Sequence, residues 1–218
     1  MDDVHRRRAF VQCHTLLRRP PYVPELQLYL ADEVTPIWEW TEEELQESGV
    51  PPPYWAFAWA GGQAVARYVL DRPEIVAGRR VLDFAGGSGL CAIAAMRAGA
   101  AEATVADIDA FAGAAVALNA AANGVAVTFV GADLLDGGAP DVDLILAGDV
   151  CYEHAMAGRV VPWLRGAAAG GIDVLLGDPG RRYLPADGLT QLAAYDVPTT
   201  PELEESDFTT ARVYALSA

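Results

Sequence analysis

Lysine is absent from this 218-residue chain. All 15 of its basic residues are arginine, against 30 Asp and Glu, which leaves a formal net charge of −15. Coding bias toward alanine and arginine is a sufficient reason for the absence, so the acidity carries more meaning. A surface of that sign repels phosphate backbones, which excludes nucleic acid as a general partner and leaves a basic protein face as the better one. Cysteine is scarce too: Cys13, Cys91 and Cys151 lie apart, without metal-ligand spacing. Their odd number argues against a disulfide framework and for a reducing cytoplasm, and no metal site is expected. No stretch approaches the roughly 18 consecutive apolar residues of a membrane span. No apolar core with a cleavage site follows Arg6-Arg7-Arg8, so a soluble, unexported chain is expected, a monomer or weak oligomer.

What is present is a βαβ rhythm. Apolar runs near 80–84, 103–107, 126–130, 143–148 and 172–177 read as strands buried on both faces. Helical patterns fall near 89–98, 110–122 and 155–168, with another near 187–194; Asp109 is placed to cap the second, and Asn123-Gly124 to end it. Tyr195 to Thr199 and Phe208 to Leu216 are β-rich and suit a closing antiparallel pair. The fold class is therefore α/β: a doubly wound, Rossmann-like, seven-stranded and mostly parallel sheet with a C-terminal antiparallel hairpin. One domain over 61–218 suffices. Residues 1–60 are broken by Pro20-Pro21, Pro24, Pro36 and Pro51-Pro52-Pro53 into an arm. Helices over 2–18 and 41–48, the latter with Thr41 and Glu44 as a capping box, would lie over the ligand edge of the sheet. Trp38, Trp40, Tyr54, Trp55, Phe57 and Trp59 make the arm aromatic; most of these rings are expected to pack it down, with one or two at the pocket.

The most informative segment is Val81-Leu-Asp-Phe-Ala-Gly-Gly-Ser-Gly-Leu-Cys-Ala92. An apolar run ends in Asp83, passes through Ala85, Gly86, Gly87 and Gly89, and opens into an alanine-rich helix. Such a bend brings bare backbone N–H groups to a ligand at the carboxyl end of a strand. Gly87-Ser-Gly89-Leu-Cys-Ala92 also satisfies the dinucleotide pattern G-x-G-x-x-A, so the glycines alone do not choose the cofactor. Asp83 does: its carboxylate repels a pyrophosphate and attracts a sulfonium or ammonium, which favours S-adenosylmethionine over NAD.

Further acids stand at the ends of the following strands. Asp107, about 20 residues past the glycines, is spaced to accept hydrogen bonds from ribose hydroxyls, and Ile108 joins it in the cofactor set. Asp133 is placed to accept from an adenine amino group, with Leu134 offering the ring an apolar face. A turn or cap aspartate is the plainer alternative for each acid. Asp149 ends the fourth strand in Asp149-Val-Cys-Tyr152, where the chemistry is expected. Direct displacement by an amine needs alignment and exclusion of water more than covalent help. Asp149 would draw the amine in and Tyr152 steer it, against the plainer readings of a strand-end acid and a satisfied tyrosine. His154 reads as a helix-start residue.

Together Pro52-Pro-Tyr-Trp-Ala-Phe-Ala-Trp-Ala-Gly-Gly-Gln63, the Val81 glycine loop, Ala106-Asp-Ile-Asp109, Gly148-Asp-Val-Cys-Tyr152 and Gly177-Asp-Pro-Gly-Arg181 resemble the electron-transfer flavoprotein β-subunit lysine methyltransferase family. The resemblance runs from about His14 to the C-terminus. It implies a class I, seven-strand methyltransferase with S-adenosylmethionine as donor and a protein lysine, on a flavoprotein β subunit or a similar basic patch, as acceptor. Trp59 would be a wall of the cofactor pocket, Asp83 to Gly89 the methionine-side loop, Asp107 the ribose acceptor, Asp149 to Tyr152 the Asp-x-x-Tyr substrate motif, and Asp178 to Arg181 the border of the substrate entrance. Ala85 departs from the broad pattern, which has glycine there; its methyl fits where the local φ is negative. Small amines and other protein side chains remain alternative acceptors on the same sheet. A nicotinamide-dependent oxidoreductase and a non-catalytic module of this fold are the rival classes.

Overall fold

A computed structural model describes residues 3–31, 37, 51–138, 140–198 and 208–218. The chain runs α1 (Asp3–His14), β1 (Leu16–Arg18), β2 (Leu28–Leu30), a 3₁₀ turn (Tyr54–Ala56), α2 (Ala60–Asp71) and a second 3₁₀ turn (Pro73–Ile75). Then follow β3 (Arg80–Phe84), α3 (Leu90–Arg97), β4 (Glu102–Ala106), α4 (Ala110–Ala122), β5 (Thr128–Val130) and β6 (Leu144–Gly148). The last elements are α5 (His154–Ala169), β7 (Asp173–Asp178), β8 (Leu189–Pro198) and β9 (Phe208–Leu216).

Seven strands form one sheet in the order β5-β4-β3-β6-β7-β9-β8. β3 pairs in parallel with β4 on one side and β6 on the other, so Asp83 lies beside both Val105 and Leu146. The order of the strands reverses at β3, and in an open α/β sheet that switch point leaves a crevice at the strands' carboxyl ends. β9 runs antiparallel to β7 and closes the sheet with β8.

Alternate residues of the central strands feed two cores, as a pleat of period two requires. Val81, Leu144, Leu146 and Leu175 pack with Val65, Tyr68 and Val69 of α2. Leu82, Ile145, Val174 and Leu176 pack with Val160 and Leu164 of α5. Asp109 caps α4 through a 2.8 Å bond from the Phe111 N–H, and the helix ends at Asn123 with Gly124 at φ +66°.

The described part of the arm shares its cores with the sheet's helices. Val11 and Trp55 pack with Ala112 and Ala115 of α4, and Val23, Leu26 and Leu28 with Ala66, Ile93 and Ala94. Asn119 and Asn123 accept from the Tyr29 and Gln27 N–H groups at 2.7 and 3.0 Å.

Two expectations need correction. The segment 187–194 is not a helix but the start of β8, despite its helix-forming Leu, Gln and Ala residues. Pairing along β9 outweighs that propensity, and a bulge between Gln191 and Ala193 leaves Leu192 exposed. The helix expected over 2–18 stops at His14; the Thr15 hydroxyl donates back to the Val11 carbonyl, and Leu16–Arg18 pairs with Leu28–Leu30 instead. Helix α2 was not anticipated. The helix expected over 41–48, with Trp38 and Trp40, lies outside the described residues.

Candidate active site

A cleft of about 750 Å³ opens at the carboxyl ends of β3, β4 and β6, within the usual size range of ligand sites. The glycine loop forms one wall. Gly89 stands at the N-cap of α3 with φ +77° and has no side chain to satisfy the helix's first N–H groups. Asp83 supplies what it lacks: its Oδ2 accepts from the Ala92 N–H at 2.9 Å. Asp83 is only 2% exposed, and burial, with some help from Asp107, pushes its carboxyl up to about 7. It thus holds the loop as well as placing a carboxyl on the cleft, a double duty its position in the sequence did not disclose.

Ala85 contradicts its expected conformation. Its φ is +52°, in the left-handed region, because the chain must turn sharply between the end of β3 and Gly86. A methyl there carries strain on the order of 1 kcal/mol. Asp149 is strained in the same sense, with φ +56°. The two non-glycine residues with positive φ among the described residues therefore both line this cleft.

Asp107 is locked in place. One oxygen accepts from the Gly87 N–H and the other from the Asp109 N–H, both at 2.9 Å, which leaves lone pairs on each for hydroxyl donors. Burial raises its carboxyl above the usual range. Ile108 is 78% exposed on the rim. Asp133 lines the cleft with Leu134 but is also a turn residue: Oδ1 accepts from the Leu135 N–H at 2.9 Å, and Oδ2 pairs with Arg159 at 3.0 Å. The plainer reading of a turn aspartate is thus met, on an acid that also lines the cleft.

At the other end Asp149 is 7% exposed, and burial pushes its carboxyl up to about 6 against the pull of Arg181. Oδ2 accepts from the Gly62 N–H at 3.0 Å, and Oδ1 from Arg181 Nη2 at 3.2 Å. Tyr152 is 42% exposed, and its ring lies 5.6 Å from that of Tyr54. Trp59 donates Nε1–H to the Tyr54 carbonyl at 3.0 Å, and its ring sits 5.6 Å from Phe57. Four aromatic rings thus rim the mouth above one buried acid. His154 begins α5, as expected, with its ring against Tyr183.

The start of α2 touches the strand ends backbone to backbone. A Cβ on Gly177 would lie 2.2 Å from the Gly61 carbonyl oxygen, and one on Gly148 would lie 2.6 Å from Gly62 Cα. Gln63, fully buried, ties the arm down: it accepts from the Tyr22 N–H at 3.0 Å and donates to the Ala58 carbonyl at 2.7 Å. Gly61, Gly148 and Gly177 are thereby explained as one contact. Its function is to bring the Gly62 N–H to Asp149. Sequence reasoning missed this contact, the Arg181 pair and the position of Tyr54; the paired glycines were the signal for the first. Among the described residues no cluster of His, Cys, Asp or Glu suits a metal ion.

The sheet is that of known methyltransferases. The ribosomal protein L11 methylase of Lactobacillus delbrueckii subsp. bulgaricus aligns with a TM-score of 0.52 at 20% identity, over 72% of this chain and 79% of that one. Magnesium protoporphyrin IX methyltransferase from Synechocystis, solved with S-adenosylmethionine bound, aligns at 0.53 and 19%, over 72% and 79%. Likeness at that identity speaks for the fold alone. The model of the ribosomal protein L11 methyltransferase (PrmA) family matches residues 67–149, which span the glycine loop to Asp149. Fold and cleft define a class I methyltransferase that uses S-adenosylmethionine. Among curated proteins, the electron transfer flavoprotein beta subunit lysine methyltransferase of Rattus norvegicus is 36% identical over 88% of this chain and 76% of its own length. That of Xenopus laevis is 36% identical over 95% and 86%. The chain belongs to this family of electron transfer flavoprotein beta subunit lysine methyltransferases.

Proposed function

We propose that this chain transfers a methyl group from S-adenosylmethionine to the side-chain amine of a lysine on an electron transfer flavoprotein beta subunit. The observation that carries the reading is the buried Asp149 on the floor of an aromatic-rimmed cleft, opposite the acidic glycine loop. The relatives' names supply the acceptor. A chain of net charge −15 that exposes arginine but no lysine suits a basic protein face. Three cysteines without a disulfide suit a reducing, cytoplasmic setting, and among the described residues no helix is long and apolar enough to cross a membrane.

The residues present fit the donor. Asp107 offers a fixed acceptor to a ribose, with Ile108 beside it. Leu134 gives an adenine an apolar face, and Asp133 has acceptor capacity left beside Arg159. Asp83 and the backbone of Ala85, Gly86 and Gly87 enclose the amino-acid end, with Trp59 across the cleft, while Gly89 stands behind them at the N-cap of α3. A cation near Asp83 draws its raised carboxyl back to the ionised form. When bound, the donor supplies a methyl group on a positively charged sulfur. The chain's part is alignment: Tyr54 and Tyr152 enclose the lysine stem, Asp149 orients the amine, and the segment from Pro51 to Trp59 keeps water from the cleft.

Incubating the purified chain with labelled donor and a purified flavoprotein beta subunit tests the proposal. Label on the subunit is expected; donor binding without label on the subunit would overturn the assigned acceptor.

A further inference from the structure

Asp149 holds its charge in company, and the company has a consequence for the acceptor. Its Oδ1 lies 3.2 Å from Arg181 Nη2, and the two side chains are 7% and 23% exposed, so the pair is shielded from solvent screening. The arginine is not there by the accident of a long side chain. Asp178, fully buried at the end of β7, accepts from the N–H groups of both Gly180 and Arg181 at 2.6 Å, which fixes the backbone from which Arg181 reaches back. The opposite oxygen of Asp149 is fixed by Gly62 at the start of α2.

We propose that Arg181 is a positioning residue that keeps the amine end of the cleft electrically balanced, so that the acceptor docks beside Asp149 as a free amine and not as an ammonium. This rests on the lysine-methylating reading above. An unaccompanied carboxylate would hold the ammonium form, which has no lone pair with which to attack. A neighbouring guanidinium disfavours a second cation and releases the proton to water, while Asp149 still accepts a hydrogen bond from the neutral amine. The other groups facing Asp149 do not cancel this. Cys91 from α3 and Cys151 from its own loop are held neutral by burial, and the Gly62 N–H is fixed. Asp178 adds negative charge and makes the arginine more necessary.

The test is the pH dependence of kcat and KM on the flavoprotein beta subunit, for the wild type, Arg181→Gln and Arg181→Lys, with donor affinity measured by calorimetry. Removing the cation raises the amine's pKa and that of Asp149 together, so both act in one direction. In Arg181→Gln the acidic limb of kcat is expected to move up by about 1 pH unit or more, with KM unchanged or lower and donor affinity retained. Arg181→Lys is expected to restore the limb. An unmoved limb in Arg181→Gln, or loss of donor binding with it, would show that the residue only holds the shape of the site and would overturn the proposal. Wild-type enzyme that leaves the subunit unmodified overturns the acceptor reading and this proposal together, whereas transfer with an unmoved limb overturns the role of Arg181 alone.

Discussion

Asp107 and Asp83 sit one strand apart at the same cleft, yet their carboxylates do different work. Asp107 keeps lone pairs free beyond its bonds from Gly87 and Asp109. Asp107→Ala is expected to weaken donor binding by about 1–3 kcal/mol, read by calorimetry, since ribose hydroxyls lose their acceptor; unchanged affinity would remove the ribose assignment. Asp83 bears on stability. Its carboxyl is pushed up to about 7 and that of Asp149 to about 6, above the roughly 3.9 of a free aspartate. The folded chain therefore binds these protons more tightly than the unfolded chain. The stability they contribute is fully present below about pH 4 and is lost as pH rises through 6 to 7. Asp143, held down at about 2 by Arg80, works oppositely and loses its contribution as pH falls from about 4 toward 2. Without donor, the melting temperature is thus expected to fall between about pH 4 and 7. Asp83→Asn, which keeps an acceptor for the Ala92 N–H, should flatten that slope; an equal slope in both proteins would show that Asp83 is not its source. The positions of these acids at the cleft were legible as far as spacing reaches. What the sequence could not disclose was orientation: that Asp83 faces the end of α3, or that Ala85 turns left-handed, depends on the path of the backbone between them.

The start of α2 is the element on which the site's geometry depends. Its Gly61 lies against Gly177 and its Gly62 Cα against Gly148, so that Gly61, Gly148 and Gly177 have no room for a Cβ. Gly177→Ala is expected to destabilise the chain by about 3 kcal/mol or more, because the new atom meets a backbone carbonyl that cannot turn aside. Gly158→Ala provides the contrast: at an exposed position of α5, with open space around it, the same change is expected to stabilise by about 0.5–1 kcal/mol. Chemical denaturation of both variants checks the pair, and similar midpoints would mean that the α2 contact is loose. At this scale the parallel strands and α4 were readable because their apolar runs and caps are local signals. Helix α2 was not, since glycines stand at its start and the aromatics before it read as arm, and β8 was not, since only its partner β9 makes Leu189-Thr-Gln-Leu a strand.

For the whole molecule, the sheet reverses its strand order at β3, and everything chemical gathers at that one edge. The glycine loop, Asp107 and Asp149 come from three strands, and the arm lays Tyr54 and Trp59 over them. The net charge of −15 spreads beyond the cleft, while Asp149 and Arg181 form a shielded ion pair within it. The most direct test of the account is mass spectrometry of a flavoprotein beta subunit after incubation with S-adenosylmethionine and either the wild-type chain or Asp149→Asn, with donor binding confirmed for both. The account predicts methyl groups on lysine with the wild type, and a large loss of rate with undiminished donor binding in Asp149→Asn. An unmodified subunit, or equal rates from the two proteins, would contradict it.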